Sequence, residues 1–196
     1  MQAARLIAQD LACRRGDRVL FAGLSFDLTA GAACQVAGSN GIGKSSLIRI
    51  LAGLAPAYAG QVDRQGAAGL LDERIALDPA LPLGRALAFW ARIDACSAAD
   101  MATHSERLGI AHLMDVPVRY LSTGQRKRAA LVRLIGQNAP IWLLDEPLNG
   151  LDTDAAALVV RLAAEHCAGG GICLVASHQP FDLPGLDHLH LAEFAA

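Results

Sequence analysis

Short apolar runs alternate with amphipathic runs along most of the chain. Residues 32–38 (AACQVAG), 141–146 (IWLLDE) and 172–178 (ICLVASH) each hold a short apolar segment, which is typical of strands buried on both faces of a sheet. Residues 45–54 and 152–167 carry apolar side chains at helical spacing, and Gly53 is placed to end the first of these helices. Strands that alternate with helices predict a mostly parallel sheet.

Two regions depart from this alternation. Residues 5–31 predict two short strands around the turn RRGD and a third strand that ends at Gly31, so an antiparallel N-terminal region is expected. Residues 83–117 read as helical throughout. The prediction is one domain over residues 1–196, with a core at 1–75 and 136–196 and an inserted helical subdomain at about 76–135.

The subdomain contains the segment LSTGQRKRAALVRL, residues 121–134. Ser122 is a good N-cap candidate, because its hydroxyl can accept a free backbone N–H of the first helical turn. A helix N-terminus with small residues around it can bind an anion. The three cations at 126–128 are interpreted as a solvated face.

Composition and charge narrow the function classes. The chain is 53% hydrophobic and has a formal net charge of −2, which disfavours nucleic-acid binding. No window has the roughly 18 uncharged apolar residues of a membrane span, and the first ten residues lack the apolar run of a signal peptide. We expect a cytoplasmic protein whose five scattered cysteines are small core residues.

A phosphate loop lies between the first predicted buried strand and the helix after it. The segment GSNGIGKS matches G-x-x-x-x-G-K-[ST] in full, and the strand–loop–helix context favours it over a chance glycine-rich turn. Lys44 is expected to neutralise the β and γ phosphate oxygens, and Ser45 to bind Mg²⁺. The predicted nucleotide-binding residues are Gly38, Ser39, Asn40, Gly41, Ile42, Gly43, Lys44, Ser45 and Ser46.

Two acids follow the second buried strand. Ile141–Leu144 leads directly into Asp145 and Glu146. Alone this would be an ordinary strand end, but a phosphate loop about 100 residues upstream favours a Walker B strand. Asp145 is then expected to hold Mg²⁺, and Glu146 to orient or deprotonate the attacking water.

The order of these motifs resembles the nucleotide-binding domain of ATP-binding cassette (ABC) transporters along nearly the whole chain. GSNGIGKSS is followed by LSTGQ, LLDEP, LNGLD and SHQ, and LSTGQ is similar to the signature motif of that family. The resemblance implies a P-loop NTPase of the α/β class with ATP and Mg²⁺ as cofactors. It assigns the signature to Ser122, Thr123, Gly124 and Gln125, the D-loop aspartate to Asp152, and the catalytic switch histidine to His178.

In this family two domains pair head to tail, and the signature of one contacts the ATP held by the other. The resemblance therefore implies a head-to-tail homodimer on ATP binding. It also identifies the anion that the N-terminus of the LSTGQ helix would bind, which is the γ-phosphate of an ATP held by a second copy of the chain.

Finer features resemble the haem-exporter ATP-binding subunits of bacterial cytochrome c biogenesis, the CcmA subfamily. These features are GSNGxGK, WLLDEP, the HQP segment and the early pattern DRVLFxGLSFxLxAG. The resemblance implies a peripheral protein on the cytoplasmic side of the inner membrane. Its implied partners are a CcmB-like permease and CcmC/CcmD/CcmE-like haem-handling proteins.

Several positions depart from the family pattern. An arginine, Arg14 or Arg15, stands where an aromatic residue usually stacks on adenine, and a guanidinium can also stack on a purine; Arg15 is the candidate, with Phe21 a weaker one. Glu73 is the candidate for the Q-loop position near the metal. Thr123 replaces a glycine and fits only with a negative φ, and the dipeptide at 149–150 replaces the usual small hydroxyl and alanine residues.

Two alternatives stay open at this point. The chain could be the ATP-binding subunit of another small ABC importer or exporter. It could also be an ABC clamp ATPase outside transport, although a single short cassette with balanced charge disfavours that reading.

Overall fold

The computed structural model describes residues 3–72 and 75–195. The strands, in chain order, are β1 Arg5–Arg15, β2 Arg18–Thr29, β3 Ala33–Ala37, β4 Ala59–Gln65, β5 Ala68–Leu71, β6 Ile141–Asp145, β7 Ile172–Ala176 and β8 Leu186–His190. The α-helices are α1 Lys44–Leu51, α2 Leu83–Ile93, α3 Ala98–Arg107, α4 Thr123–Gly136 and α5 Thr153–Ala168.

The strands form two sheets. A five-stranded parallel sheet has the order β5-β6-β7-β3-β8, and an antiparallel sheet has the order β2-β1-β4. The predicted fold class, a parallel core with N-terminal antiparallel strands and a helical insertion, is therefore confirmed. The carboxyl ends of β3, β6 and β7 meet at one edge, which is where open α/β sheets bind ligands.

The parallel sheet separates two apolar clusters. Along β6, Ile141 and Leu143 join the cluster that contains α1 and the antiparallel sheet, whereas Trp142 and Leu144 join the cluster under the remaining helices. Both faces of β6 are thus covered, because side chains alternate between the faces of a strand. This explains why β3, β6 and β7 are nearly continuous apolar runs.

The inserted region contains less helix than the sequence predicts. Helices α2, α3 and α4 pack against one another, but α3 ends at Arg107 and only a single 3₁₀ turn follows, at Ala111–Leu113. The expectation of helix through residue 117 is wrong there. The reason is Gly109, which adopts a φ of +66°, a left-handed conformation that ends helices.

The predicted break between a second and third N-terminal strand is also wrong. Strand β2 runs without interruption to Thr29. Gly23 has a φ of +74°, and the pairing register between β1 and β2 shifts on either side of Leu11. The glycine is therefore a local irregularity inside one long strand rather than a turn.

The cysteines lie in the core, as the sequence predicts. All five are free thiols, and each except Cys96 is buried. Burial raises the pKa of Cys34 to about 12, so this thiol stays protonated at neutral pH.

Within residues 3–72 and 75–195, none of the helices combines the length and the apolar character that crossing a bilayer requires.

Gly60 allows a test of the close approach of β4 to β1. It has a φ of +79°, and a Cβ atom there would collide with the carbonyl oxygens of Gln9 and Asp10. Gly23 has a similar φ of +74° but open space around it. We predict that Gly23→Ala lowers the free energy of unfolding by about 1–2 kcal/mol for the backbone conformation alone.

Gly60→Ala should cost this amount and about 1–3 kcal/mol more for the collision. Denaturant unfolding of the two variants measures the difference. Equal losses would contradict the close approach of β4 to β1.

Candidate functional site

A cleft of about 360 Å³ opens at the carboxyl edge of the parallel sheet. It brings together residues of the predicted phosphate loop with Glu146 and His178, the candidates for the catalytic acid and the switch histidine. Its lining residues are Arg15, Leu20, Asn40, Gly41, Gly43, Lys44, Ser45, Ser46, Glu146, Asn149 and His178.

The phosphate loop wraps the start of α1. Gly38, Gly41 and Gly43 have φ values of +155°, +81° and +119°, which side chains rarely adopt. Gly43 is the N-cap of α1 and has no side chain with which to cap it. The backbone N–H groups of the first turn therefore remain available to an anion, whose charge the helix dipole also favours.

Lys44 is buried in this loop. Its Nζ donates hydrogen bonds to the carbonyl oxygens of Gly38, at 2.8 Å, and Ser39, at 3.3 Å. The same atom lies 3.7 Å from Oε1 of Glu146, and both side chains are largely buried, at 6% and 12% exposed. A buried ammonium needs such partners, and here they hold it at the mouth of the loop.

Ser45 and Asp145 form the part of the site that fits a cation. The Ser45 hydroxyl donates to Oδ1 of Asp145 at 3.0 Å across the cleft. A hydroxyl and a carboxylate are oxygen ligands of the kind that Mg²⁺ prefers, with phosphate oxygens and waters completing its shell. The pair thus has the donor chemistry expected of a magnesium site.

Glu146 occupies an unusual backbone position directly after β6. Its φ is +45°, a left-handed value that few residues other than glycine adopt. Its backbone N–H donates to the carbonyl of Ala176 at 2.8 Å. Its Oε2 lies 2.9 Å from Nδ1 of His178, so the carboxylate and the imidazole form a pair, with the ring tautomer setting which atom donates.

A network of glutamines supports the histidine. The Gln35 amide nitrogen donates to the carbonyl of Gln179 at 2.8 Å, and the Gln179 amide nitrogen donates to Oδ1 of Asn149 at 3.2 Å. The sequence predicted no role for Gln35 and did not predict the hydrogen bonds that join it to Gln179 and Asn149. The available signal was Gln35 itself, a polar residue in the middle of a buried strand, where a polar side chain requires a hydrogen-bond partner.

Helix α4 begins as the sequence predicts, with Ser122 at its N-cap. The Ser122 hydroxyl accepts from the backbone of Gln125 at 3.2 Å, and Oε1 of Gln125 accepts from the backbone of Ser122 at 2.8 Å. This reciprocal capping box explains the glutamine of LSTGQ structurally. Of the described residues that line the cleft, none belongs to 122–125, so a single chain does not bring the signature to its own phosphate loop.

The two departures from the family pattern contact each other. Thr123 is the first residue of α4 and has the negative φ that a β-branched residue needs. Its Cγ2 lies 3.0 Å from where a Cβ atom on Gly150 would stand, and Gly150 itself has a φ of +74°. Thr123 therefore fits because residue 150 has no side chain. Asp152, next in this loop, caps α5 by accepting from the backbone of Ala155 at 2.8 Å.

The expectation of a solvated face at residues 126–128 is wrong for Lys127. Its side chain is buried, at 8% exposed, and its Nζ donates to the carbonyls of Glu146, at 2.7 Å, and Asn149, at 3.1 Å. Arg126 and Arg128 are half-buried. Helical periodicity placed Lys127 on the polar face, but the loop after β6 covers that face.

The candidates for adenine contact differ in their exposure and in their position relative to the cleft. Arg15 is exposed and lines the cleft, whereas the Arg14 guanidinium lies over the ring of Tyr58, 4.6 Å from its centroid. Phe21 is fully buried in the core and is excluded as a stacking residue. Glu73, the Q-loop candidate, lies outside the described residues.

The comparison with protein families agrees with this geometry. The family model described as ABC transporter matches residues 21–149. The chain is 54% identical over 194 residues to the cytochrome c biogenesis ATP-binding export protein CcmA of Novosphingobium aromaticivorans, covering 99% of each. It is 51% identical to the protein of that description from Sphingopyxis alaskensis, covering 97% of this chain and 98% of the other.

Solved structures show the same fold. The subunit cbiO1 of Clostridium perfringens, part of the ABC transporter complex cbiONQ, superposes with a TM-score of 0.71 at 23% identity, over 89% of this chain and 78% of that one. A bacterial Atm1-family ABC exporter with ATP bound gives 0.79 at 21% identity, over 91% of this chain and 35% of the longer one.

Lys44 provides the test of the phosphate loop. Removing its ammonium in Lys44→Ala should weaken ATP binding roughly 10- to 100-fold, because hydrogen bonds to charged groups contribute about 1.5–3 kcal/mol. Calorimetric titration with ATP measures the affinity. Arg161→Ala, which removes an exposed cation from α5, is the control and should bind ATP with the wild-type affinity. An unchanged ATP affinity in Lys44→Ala would refute the assignment of residues 38–46 as the phosphate-binding loop.

Proposed function

This chain belongs to the ABC transporter family and, within it, to the cytochrome c biogenesis ATP-binding export proteins, and from that premise we propose how it works. It is the ATP-hydrolysing subunit that drives an export complex in cytochrome c biogenesis. The observation that carries the mechanism is the meeting of Lys44, Glu146 and His178 in one cleft, with residues 122–125 outside it.

Two copies of the chain pair head to tail around ATP. Each phosphate loop holds a nucleotide, and Ser122–Gln125 of the other copy reaches the γ-phosphate. The proposal is supported by the N-terminus of α4, whose helix dipole favours an anion, and by the position of that terminus outside its own cleft. Asp152 lies in the loop that would face the second copy.

Within each cleft, each residue has a separate role in ATP binding or hydrolysis. Lys44 turns from the loop carbonyls to the β and γ phosphates, where it offsets their charge. Glu146 orients the attacking water and takes its proton, and His178 fixes the Glu146 carboxylate and contacts the γ-phosphate. Ser45 and Asp145 would hold Mg²⁺, which would neutralise phosphate charge. Arg15 stacks on the adenine, and Glu73 is the sequence candidate for the Q-loop position.

The two parts of the domain also have separate roles. Residues 1–75 and 136–196 form the catalytic core, and residues 76–135 form a helical subdomain that carries the signature. Because Lys127 of α4 donates to the loop that follows β6, the subdomain can transmit movements of a membrane partner to the nucleotide.

We base the proposed partner and cargo on the resemblance to the haem-exporter ATP-binding subunits of cytochrome c biogenesis. The chain acts as a peripheral protein on the cytoplasmic side of the inner membrane, with a CcmB-like permease and CcmC/CcmD/CcmE-like proteins. The transported or remodelled entity is haem or a haem-chaperone complex.

Glu146→Gln tests the catalytic proposal. The amide keeps the shape of the side chain but cannot accept a proton, so turnover should fall by a factor of about 100 or more. The ATP-bound homodimer should then persist, as size-exclusion chromatography with light scattering would show. Glu193→Gln makes the same chemical change on an exposed residue and should leave turnover and dimerisation unchanged. Normal hydrolysis by Glu146→Gln would refute the role of this residue.

The partner proposal is tested by affinity purification of the tagged chain from detergent-solubilised bacterial membranes. The CcmB-like permease should co-purify and be identified by mass spectrometry. An unrelated ABC permease in its place would show that the chain serves another importer or exporter.

A further inference from the structure

The chain has only two lysines, Lys44 and Lys127. Both are buried, at 6% and 8% exposed, and both ammonium groups approach the same residue. Lys44 faces the carboxylate of Glu146 at 3.7 Å, whereas Lys127 donates to the backbone carbonyl of Glu146 at 2.7 Å. The first belongs to the phosphate loop, and the second has no place in the family motifs.

Lys127 links its helix to the loop that follows β6 at two points. Its Nζ also donates to the carbonyl of Asn149 at 3.1 Å, so one ammonium group ties both ends of the segment that follows β6. Hydrogen bonds from a charged donor are shorter and stronger than neutral ones. A lysine presents these donors from one compact point at the end of a flexible stem, which suits two carbonyls that converge.

The carbonyl that Lys127 holds belongs to a strained peptide. Glu146 has a φ of +45°, and such a conformation persists only where the surroundings fix it. Its backbone N–H is fixed on β7 through Ala176, and its carbonyl is fixed on α4 through Lys127. Fixing both ends of the residue also fixes the direction of its Cα–Cβ bond, from which the carboxylate extends towards Lys44 and His178.

Lys127 lies close to the start of α4. It is five positions after Ser122, or about 7.5 Å along the helix axis at about 1.5 Å per residue. Ser122 and Gln125 form the capping box that holds the first turn. A shift of the N-terminus of α4 therefore moves the Lys127 ammonium and, with it, the carbonyl of Glu146.

We propose that Lys127 is a positioning residue that joins the signature helix to the Glu146 of its own chain. When Ser122–Gln125 engages the nucleotide of the other copy, Lys127 sets the carboxylate of Glu146 for the nucleotide held in its own cleft. The two ATP sites of a dimer are thereby coupled through each chain. This inference rests on the proposed function, since it requires the signature to act in trans.

The test compares Lys127→Met with Lys127→Gln in steady-state ATP hydrolysis by the full chain. Methionine keeps the length of the side chain without a donor, so kcat should fall roughly 10- to 100-fold through misplacement of Glu146. The KM for ATP should stay within about threefold, because the phosphate loop is unchanged. Glutamine reaches one carbonyl at most, and its kcat should fall by a smaller factor, roughly two- to tenfold.

Arg133→Met is the matched control on the same helix. Arg133 is a partly buried cation that lies over the ring of Trp90 and pairs with Asp94, away from the cleft. It should lower the melting temperature without lowering the kcat of the folded protein. A purely structural role for Lys127 would give this same pattern, or a loss of kcat matched by an equal rise of KM, and either result overturns the proposal.

If Lys127→Met does not fold, the kcat of Lys127→Gln tests whether Lys127 positions Glu146. A wild-type kcat in a folded Lys127→Gln variant overturns the proposal, whereas a reduced kcat at constant KM supports it.

A second measurement separates this inference from the proposed function. The double variant with Lys127→Met and Glu146→Gln should still form the ATP-bound dimer, because Lys127 positions Glu146 rather than the nucleotide. If Glu146→Gln alone forms no such dimer, the proposed function fails. If it forms the dimer and Lys127→Met turns over at the wild-type rate, only the role of Lys127 fails.

Discussion

The left-handed backbone at Glu146 is the constraint around which the site is organised. Its N–H is bound to β7, its carbonyl to α4, and its carboxylate lies between Lys44 of α1 and His178. Three other parts of the chain, namely α1, α4 and the end of β7 with His178, therefore meet at one residue. Such a conformation is unfavourable by itself, so the packing of the parallel sheet between two apolar clusters has to supply the stability that maintains it.

The same arrangement prepares the cleft for an anion before one arrives. Lys44 is held by the carbonyls of Gly38 and Ser39, and the glycine loop leaves the first N–H groups of α1 uncapped. Positive charge and uncapped donors thus lie together at the start of α1, so under the proposed function the Lys44 ammonium has only to exchange carbonyl partners for phosphate oxygens when ATP binds. The signature at the N-terminus of α4 is also rigid, because Gln125 completes a capping box with Ser122.

Features that depend on local sequence could be predicted, and features that depend on distant packing could not. The buried strands, the phosphate loop and the cap at Ser122 follow from short patterns, and the fold class was correct for this reason. Helical periodicity cannot show which loop covers a helix face, so Lys127 was wrongly assigned to a solvated surface. The order of motifs predicted the cleft around Lys44, but not the support from Gln35 and Gln179, which joins residues more than 140 positions apart in sequence.

The contact between Thr123 and Gly150 makes the side chain allowed at one of these positions depend on the residue at the other. An alanine at position 150 would place its Cβ atom 3.0 Å from Cγ2 of Thr123, in a backbone conformation with a φ of +74°. Thr123 would have to shift by a few tenths of an ångström to admit that atom, and the left-handed backbone would add its own energetic cost. The effects of substitutions at positions 123 and 150 are therefore non-additive, and each residue limits what the other can become.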